Sequence, residues 1–242
     1  MQLRVDLAAS VAKDPMRQGS NEDAFALGQT CIALGDGASE SYDSQTWARL
    51  LTQAYVLDRQ VSEQWVADQV RVYLDSVDVA SLSWSRQAAF ERGSFSTLLG
   101  LELAPNGWDV DILSIGDSLA VHVRNGVILK SFPFQHAEEF DVRPQLLSTL
   151  PTANAFVGAP NFFTHNSVTW QIEGGDQILL VTDAVGHWIL THKEALPDLH
   201  GIASIAEFEQ LVIAMRGDRS MRLDDSTLLR ILIDPDSEDR ET

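Results

Sequence analysis

The chain has 242 residues, 45% of them hydrophobic, and a formal charge of −18 from 17 basic and 35 acidic side chains. That apolar share is enough for a sizeable core, and the charge repels nucleic acid and anionic membrane surfaces while suiting cations. The single cysteine rules out an internal disulfide, and no apolar run approaches the roughly 20 residues of a membrane span. The N-terminus lacks the basic-then-apolar build of a signal peptide, so the chain reads as a cytoplasmic protein.

The opening residues MQLRVDLAAS alternate like a strand. Two further strands, Ala24 to Leu27 and Cys31 to Leu34, flank a Gly-Gln-Thr turn. DSQTWARLLTQAYVLDRQ reads as a helix with Trp47, Leu50, Leu51, Ala54 and Leu57 on one face, and Ser62 opens a second helix. The stretch from Ser94 to Phe132 is a strand meander punctuated by Asn106-Gly107, Gly116-Asp117 and Asn125-Gly126. Residues from Phe132 to Asn166 fit neither period and read as an irregular flap, a kind of segment that often carries substrate contacts. SVTWQIEGGDQILLVTDA reads as a hairpin around Gly174-Gly175, SIAEFEQLVIAMRG as a helix stopping at Gly217, and STLLRILI as the last strand. Strand runs separated by helices, with connections too short for parallel crossovers, predict an antiparallel α+β layered fold. Residues 1–234 form one domain in this reading, with the flap at about 132–166 and a disordered tail at 235–242.

The chemistry gathers in carboxylates at strand ends. In CIALGDGASES four strand-forming residues run into Asp36 between two glycines, and a carboxylate so placed is costly unless something pairs with it. Glu22 and Asp23 precede AFAL, Asp117 follows ILSIG, Asp183 follows QILLVT, and Asp224-Asp225 precede STLLRILI. Singly, each is a good turn or cap residue. Brought together they need a cation, and hard oxygen ligands select Mg²⁺ or Mn²⁺.

The blocks NEDAF, ALGDGASES, STLLGL, ILSIGDSLAV, LLVTDAVGHW and DDSTLLRI, in that order, resemble the metal-dependent protein serine/threonine phosphatases of the protein phosphatase 2C family. They span nearly the whole chain, and TDAVGHW is most similar to a divergent bacterial branch. The resemblance implies two antiparallel β-sheets sandwiched between helical layers. It also implies two Mn²⁺ or Mg²⁺ ions that activate water for direct attack on a phosphoserine or phosphothreonine of a protein substrate. In it Asp36 bridges both ions and the Gly37 carbonyl reaches one of them. Asp183 and Asp224 complete the first site and Glu22 the second, while Asp23 orients a water and Asp117 matches the ligand of a third ion. A partner serine/threonine kinase and a monomeric state belong to the same implication.

The chain departs from the family pattern in three places. The family's phosphate-gripping arginine stands four residues before the glutamate, where this chain has Gln18; Arg17 lies one residue further off, and a shifted loop would let it serve. Arg143 in the flap is the alternative. Ala38 replaces a histidine found in animal members, and Asp225 replaces the usual asparagine. His187, where a partner for the third ion is expected, sits beside Trp188 in a run that reads as packed helix. A rival reading from these departures is a pseudophosphatase that only binds a phosphoprotein or a kinase. Other chemistries lack support, since Cys31 lies in an apolar strand and no Gly-x-Ser-x-Gly elbow, P-loop or dinucleotide glycine motif occurs.

Overall fold

The computed structural model describes residues 1–14, 16–39 and 41–235. The tail expectation therefore concerns, from 236 onward, positions outside the described residues.

In chain order the elements are β1 (Gln2–Val11), β2 (Ala24–Leu27), β3 (Cys31–Gly35), α1 (Ser44–Leu57), α2 (Glu63–Asp75), α3 (Trp84–Glu91), β4 (Phe95–Ser96), β5 (Leu98–Leu103), β6 (Asp109–Ile115) and β7 (Leu119–Arg124). They continue with β8 (Val127–Phe132), β9 (Leu147–Ser148), α4 (Phe162–Asn166), β10 (Ser167–Gln171), β11 (Gln177–Val181), α5 (Asp183–Thr191), α6 (Leu196–Gly201), α7 (Ile205–Gly217) and β12 (Ser226–Asp234). One sheet runs β1-β12-β11-β7-β8 and the other β10-β6-β5-β3-β2, with β4-β9 as a short ribbon. Neighbouring strands in both sheets are antiparallel.

Three apolar layers explain why the strands are apolar on both faces. Ile32, Leu34, Leu99, Leu101, Ile178, Leu180, Leu229 and Ile231 meet between the two sheets. Cys31 and Ala33, pointing the other way along β3, pack under α1 and α2 with Trp47, Leu51, Tyr55, Trp65 and Tyr73. On the opposite side, Leu119, Val121, Leu179 and Val181 pack under α5 and α7 with Trp188, Ile189, Phe208 and Val212. Because side chains alternate across a strand, a sheet covered on both faces needs continuous apolar runs. The result is the α-β-β-α sandwich. Close approach of α1 to β5 depends on Gly100, where a Cβ would lie 2.2 Å from Cζ of Tyr55.

Three local expectations need correcting. The Gly174-Gly175 segment does not join a hairpin, because β10 pairs with β6 and β11 with β12 and β7. The chain crosses there from one sheet to the other. Buried Asp176 fixes the crossing by accepting hydrogen bonds from His122 Nε2 (2.8 Å), Arg124 Nε (2.6 Å) and the Glu173 amide (2.8 Å). Burial works against its charge, but these three partners bring its pKa to about 2. The meander likewise breaks at Gly116 (φ 105°), where β6 in one sheet passes to β7 in the other. Strand periodicity marks the elements but carries no label for the sheet they join. Finally, Leu57 is 87% exposed. The buried stripe of α1 runs through Trp47, Leu51 and Tyr55, and Leu57 stands about 200° around the helix from Tyr55.

Between β8 and β10 the chain holds short 3₁₀ turns at Ala137–Asp141 and Pro151–Gly158, the strand β9 and the helix α4. Trp47 Nε1 donates to the Leu147 carbonyl (2.9 Å), tying this segment to α1.

Candidate metal centre

The sheet registers set the site. Val11 lies opposite Ser226, Val181 opposite both Leu119 and Leu228, and Ala24 opposite Gly35. The residues just beyond these strands therefore emerge at one edge of the sandwich. Asp36, Gly37, Asp117, Asp183 and Asp224 line a single cavity of about 160 Å³, together with Ala38, Ser39, Thr97, Pro144 and Leu146.

Asp36 is positioned through its backbone. Its amide donates to Thr97 Oγ1 (2.8 Å) and its carbonyl accepts from the Thr97 amide (2.9 Å). Thr97 is itself held to Ser118 by a hydroxyl–hydroxyl bond of 2.8 Å. At Gly37 a Cβ would lie 2.8 Å from the Glu22 carbonyl oxygen and 2.9 Å from Ser44, so only glycine brings these three segments together. The flanking glycine is a packing requirement as well as a turn.

The carboxylates act on one another. Burial, then Asp23, Asp183, Asp117 and Asp224, push the Asp36 carboxyl well above the usual range. Asp183 rises to about 7 through burial and the charges of Asp117 and Asp224, against the Ala184 amide that donates to it at 2.5 Å. Asp117 and Asp224 are also raised, mainly by burial. Burial drives Asp23 well above the usual range too. Its Oδ2 accepts from Thr227 Oγ1 (2.6 Å) and Thr182 Oγ1 (3.2 Å), whereas its Oδ1 is buried with no partner.

Glu22 lies one step away, bonded rather than open. Its Oε1 accepts from Ser44 Oγ (2.5 Å) and its Oε2 from Lys13 Nζ (3.0 Å). The same ammonium donates to Ser39 Oγ and lies 4.0 Å from Asp224 Oδ1. Burial opposes its charge, but Glu22, Asp224 and Asp225 outweigh that and raise its pKa. Asp225, 3% exposed, clips the loop by accepting from the amides of Lys13 (2.6 Å) and Glu22 (2.7 Å). Arg216 of α7 donates to the Ala12 carbonyl (2.8 Å) and Ser226 Oγ (3.0 Å), bracing the same strand ends.

Among the described residues, no group of three or more His, Cys, Asp or Glu side chains stands placed so that it could hold a metal ion as it is. The donor set still fits Mn²⁺ or Mg²⁺. It consists of hard oxygens, Asp23 beside it keeps one buried carboxylate oxygen without a partner, and the mutual repulsion of the carboxylates is what a divalent cation relieves. Asp36, Asp183, Asp224 and Asp117 are the side chains aimed at a common space, with the Gly37 backbone beside them.

Two expected participants lie elsewhere. Arg17 is exposed, its Nε 3.6 Å from Asp14, and it does not line the cavity. His187 opens into a separate hollow with His136, Glu138 and Asp141 and packs edge-on against Phe140, so it does not join Asp117. Conversely, Lys13, Ser44, Thr97 and Arg216 were not legible as site residues. A lysine or threonine next to a strand carries no pattern of its own, and only the register brings these to the carboxylates.

No protein-family profile matches the chain, and no curated protein matches it. Among solved structures it is similar to the Mycobacterium tuberculosis serine/threonine phosphatase PstP/Ppp, at 18% identity over 97% of this chain and 100% of that one, with a TM-score of 0.58. The catalytic domain of PstP in complex with two manganese ions gives 19% identity over 96% and 98%, with a TM-score of 0.57. The photosystem II phosphatase PBCP gives 14% over 95% and 98%, with a TM-score of 0.62. The chain shares the fold of these phosphatases over 95–97% of its length.

Proposed function

We propose that this chain is a metal-dependent phosphatase acting on phosphoserine or phosphothreonine in protein substrates. What carries the reading is the meeting of Asp36, Asp117, Asp183 and Asp224 in one cavity, on a fold shared with serine/threonine phosphatases of which one holds two manganese ions. Asp36 would hold two ions together, Asp183 and Asp224 would complete one site, Glu22 and the Gly37 carbonyl the other, and Asp117 a third. When bound, the ions supply the Lewis acidity that activates water and screens the phosphoryl oxygens.

The chain's own groups do the rest. Asp23, fixed by two threonine hydroxyls, offers its free Oδ1 to orient a water and receive its proton. Lys13 borders the cavity, bonded to Glu22 and Ser39 and 4.0 Å from Asp224, and we assign it the phosphate contact expected of Arg17. An ammonium gives a point-charge contact where the guanidinium gives a planar fork. A partner serine/threonine kinase that writes the phosphate, a cytoplasmic setting and a monomeric state belong to the same reading. Among the described residues no helix is long and apolar enough to cross a membrane.

The test is turnover of p-nitrophenyl phosphate and of a phosphothreonine peptide with millimolar Mn²⁺, with and without EDTA. Turnover that appears with Mn²⁺ and stops with EDTA supports the phosphatase. Turnover that persists in EDTA overturns the metal mechanism. The absent arginine favours a second reading, the pseudophosphatase, and peptide binding without turnover in Mn²⁺ selects it.

A further inference from the structure

Beside the carboxylate cavity lies a larger hollow of about 680 Å³, within the size range of ligand sites. The two share Ala38, Ser39, Pro144, Leu146 and Asp224, so a chain seated in the larger one passes directly over the smaller. Its apolar lining comes from Phe95, Leu146 and Phe156, and two arginines face it: Arg92, at the C-terminal cap of α3, and Arg143, in the segment between β8 and β9. Asp224, at the shared border, is the only carboxylate lining it among the described residues.

Neither arginine is committed to a carboxylate of the fold. Arg4, Arg59, Arg124, Arg222 and Arg230 are each paired to a carboxylate of the fold. Arg143 makes no hydrogen bond or ion pair among the described residues, and Arg92 donates only to the Ala88 carbonyl of its own helix (3.0 Å). Both are exposed. A net charge of −18 repels acidic peptides over most of the surface, so two unpaired guanidinium groups beside the site reverse the local field where a substrate must lie.

We infer that this hollow is the substrate-recognition groove of the proposed phosphatase, selecting phosphoserine or phosphothreonine segments that carry acidic side chains next to the phosphorylated residue. The inference rests on the phosphatase reading and adds the substrate class. The phosphoryl group would enter the carboxylate cavity, the flanking carboxylates would pair with Arg92 and Arg143, and apolar parts of the segment would lie on Phe95 and Phe156.

The experiment compares phosphothreonine peptides of one length with flanking Glu, Ala or Lys, using Mn²⁺-loaded wild type, Arg92→Glu, Arg143→Glu and the double variant, each also as Gln. The readout is the ratio of kcat/KM for the Glu-flanked over the Lys-flanked peptide, in which any general loss of activity cancels. Wild type should favour the Glu-flanked peptide by about tenfold or more, as expected for one charged pair of roughly 1.5 kcal/mol. Each Gln variant should lower the ratio, and the double Glu variant should invert it. Equal kcat/KM for the three peptides, or a ratio indifferent to both arginines, overturns the inference while leaving the phosphatase reading intact if p-nitrophenyl phosphate is turned over. If wild type turns over nothing, the same peptides are compared by fluorescence anisotropy. Tighter binding of the Glu-flanked peptide, lost in the Arg variants, then upholds the groove without the activity, and equal binding overturns it.

Discussion

Asp36 shows how one side chain can be costly to the fold and necessary to the site. It is pushed well above the usual carboxylate range by burial and four neighbouring acids, and the backbone bonds from Thr97 that hold it in place do nothing to neutralise it. Asp36→Asn keeps the shape and removes the charge that two ions would share. We expect it to abolish turnover and to lower Mn²⁺ affinity by at least tenfold in calorimetric titration; wild-type affinity and rate would reduce Asp36 to a turn residue. Lys13 is tested against Arg17. A charge-assisted contact worth about 1.5–3 kcal/mol predicts that Lys13→Met raises KM for phosphopeptide by roughly tenfold to a hundredfold. Arg17→Ala should leave KM where it was, because its guanidinium is exposed beside Asp14. The opposite pattern would return the phosphate contact to Arg17. The carboxylates were legible because each stands where an apolar strand stops. Lys13 was not, because its role comes from β1 pairing with β12, which brings it to Asp225 and Glu22.

Among the elements, the least forgiving contact is α1 on β5. A methyl at Gly100 of β5 would meet the Tyr55 ring of α1 at 2.2–2.3 Å, and both residues are buried. Gly100→Ala should therefore lower unfolding free energy by about 1–3 kcal/mol, the usual cost of overpacking. Adding Tyr55→Ala should cost less than the sum of the two single changes, because the clash goes with the ring. Strict additivity in urea unfolding would mean that α1 shifts freely on the sheet. Asp225 holds a different junction, between the end of β1 and the start of β2. Asp225→Asn keeps one acceptor oxygen for the two amides of Lys13 and Glu22, so it should lose roughly half of what Asp225→Ala loses. Helices and strands of this kind can be read from the sequence, since Trp47, Leu51 and Tyr55 repeat with the helix and Ser62 caps α2 through the Trp65 amide at 3.1 Å. Sheet membership cannot. Gly116 and Gly174-Gly175 look like hairpin turns, and only the burial of both strand faces between three cores makes them crossings.

Over the whole molecule, the proposed site subtracts from the stability of the metal-free protein. Asp183 titrates near 7 when folded against 3.8 as its ordinary value, so the folded chain holds a proton that the unfolded chain releases. Its contribution is complete below about pH 4 and is lost as pH rises through 7, each pH unit of difference being worth about 1.4 kcal/mol. Asp176 has the opposite sign: its folded pKa of about 2 gives stability above pH 4 that disappears as the solution becomes more acidic. Half-buried His187 and His200, both held below their ordinary value by partial burial, add stability as pH rises to about 6.5. A plain pH profile of the wild type therefore mixes opposing slopes. Comparing it with Asp183→Asn, an uncharged side chain of the same shape, isolates the site. In EDTA at about pH 3.5 the two proteins should unfold at similar temperatures, because Asp183 is then largely protonated in the unfolded chain as well as in the folded one. At pH 8 in EDTA the variant should be the more stable, by a margin on the order of 2–4 kcal/mol. With Mn²⁺ at 100 times its Kd that margin should shrink by about 2.7 kcal/mol, the amount bound metal adds to the chain that binds it. Thermal unfolding at two pH values, with and without Mn²⁺, reads all four comparisons. If Asp183→Asn is less stable than wild type in EDTA at pH 8, the carboxylates are not in mutual conflict and the cavity has no need of a cation.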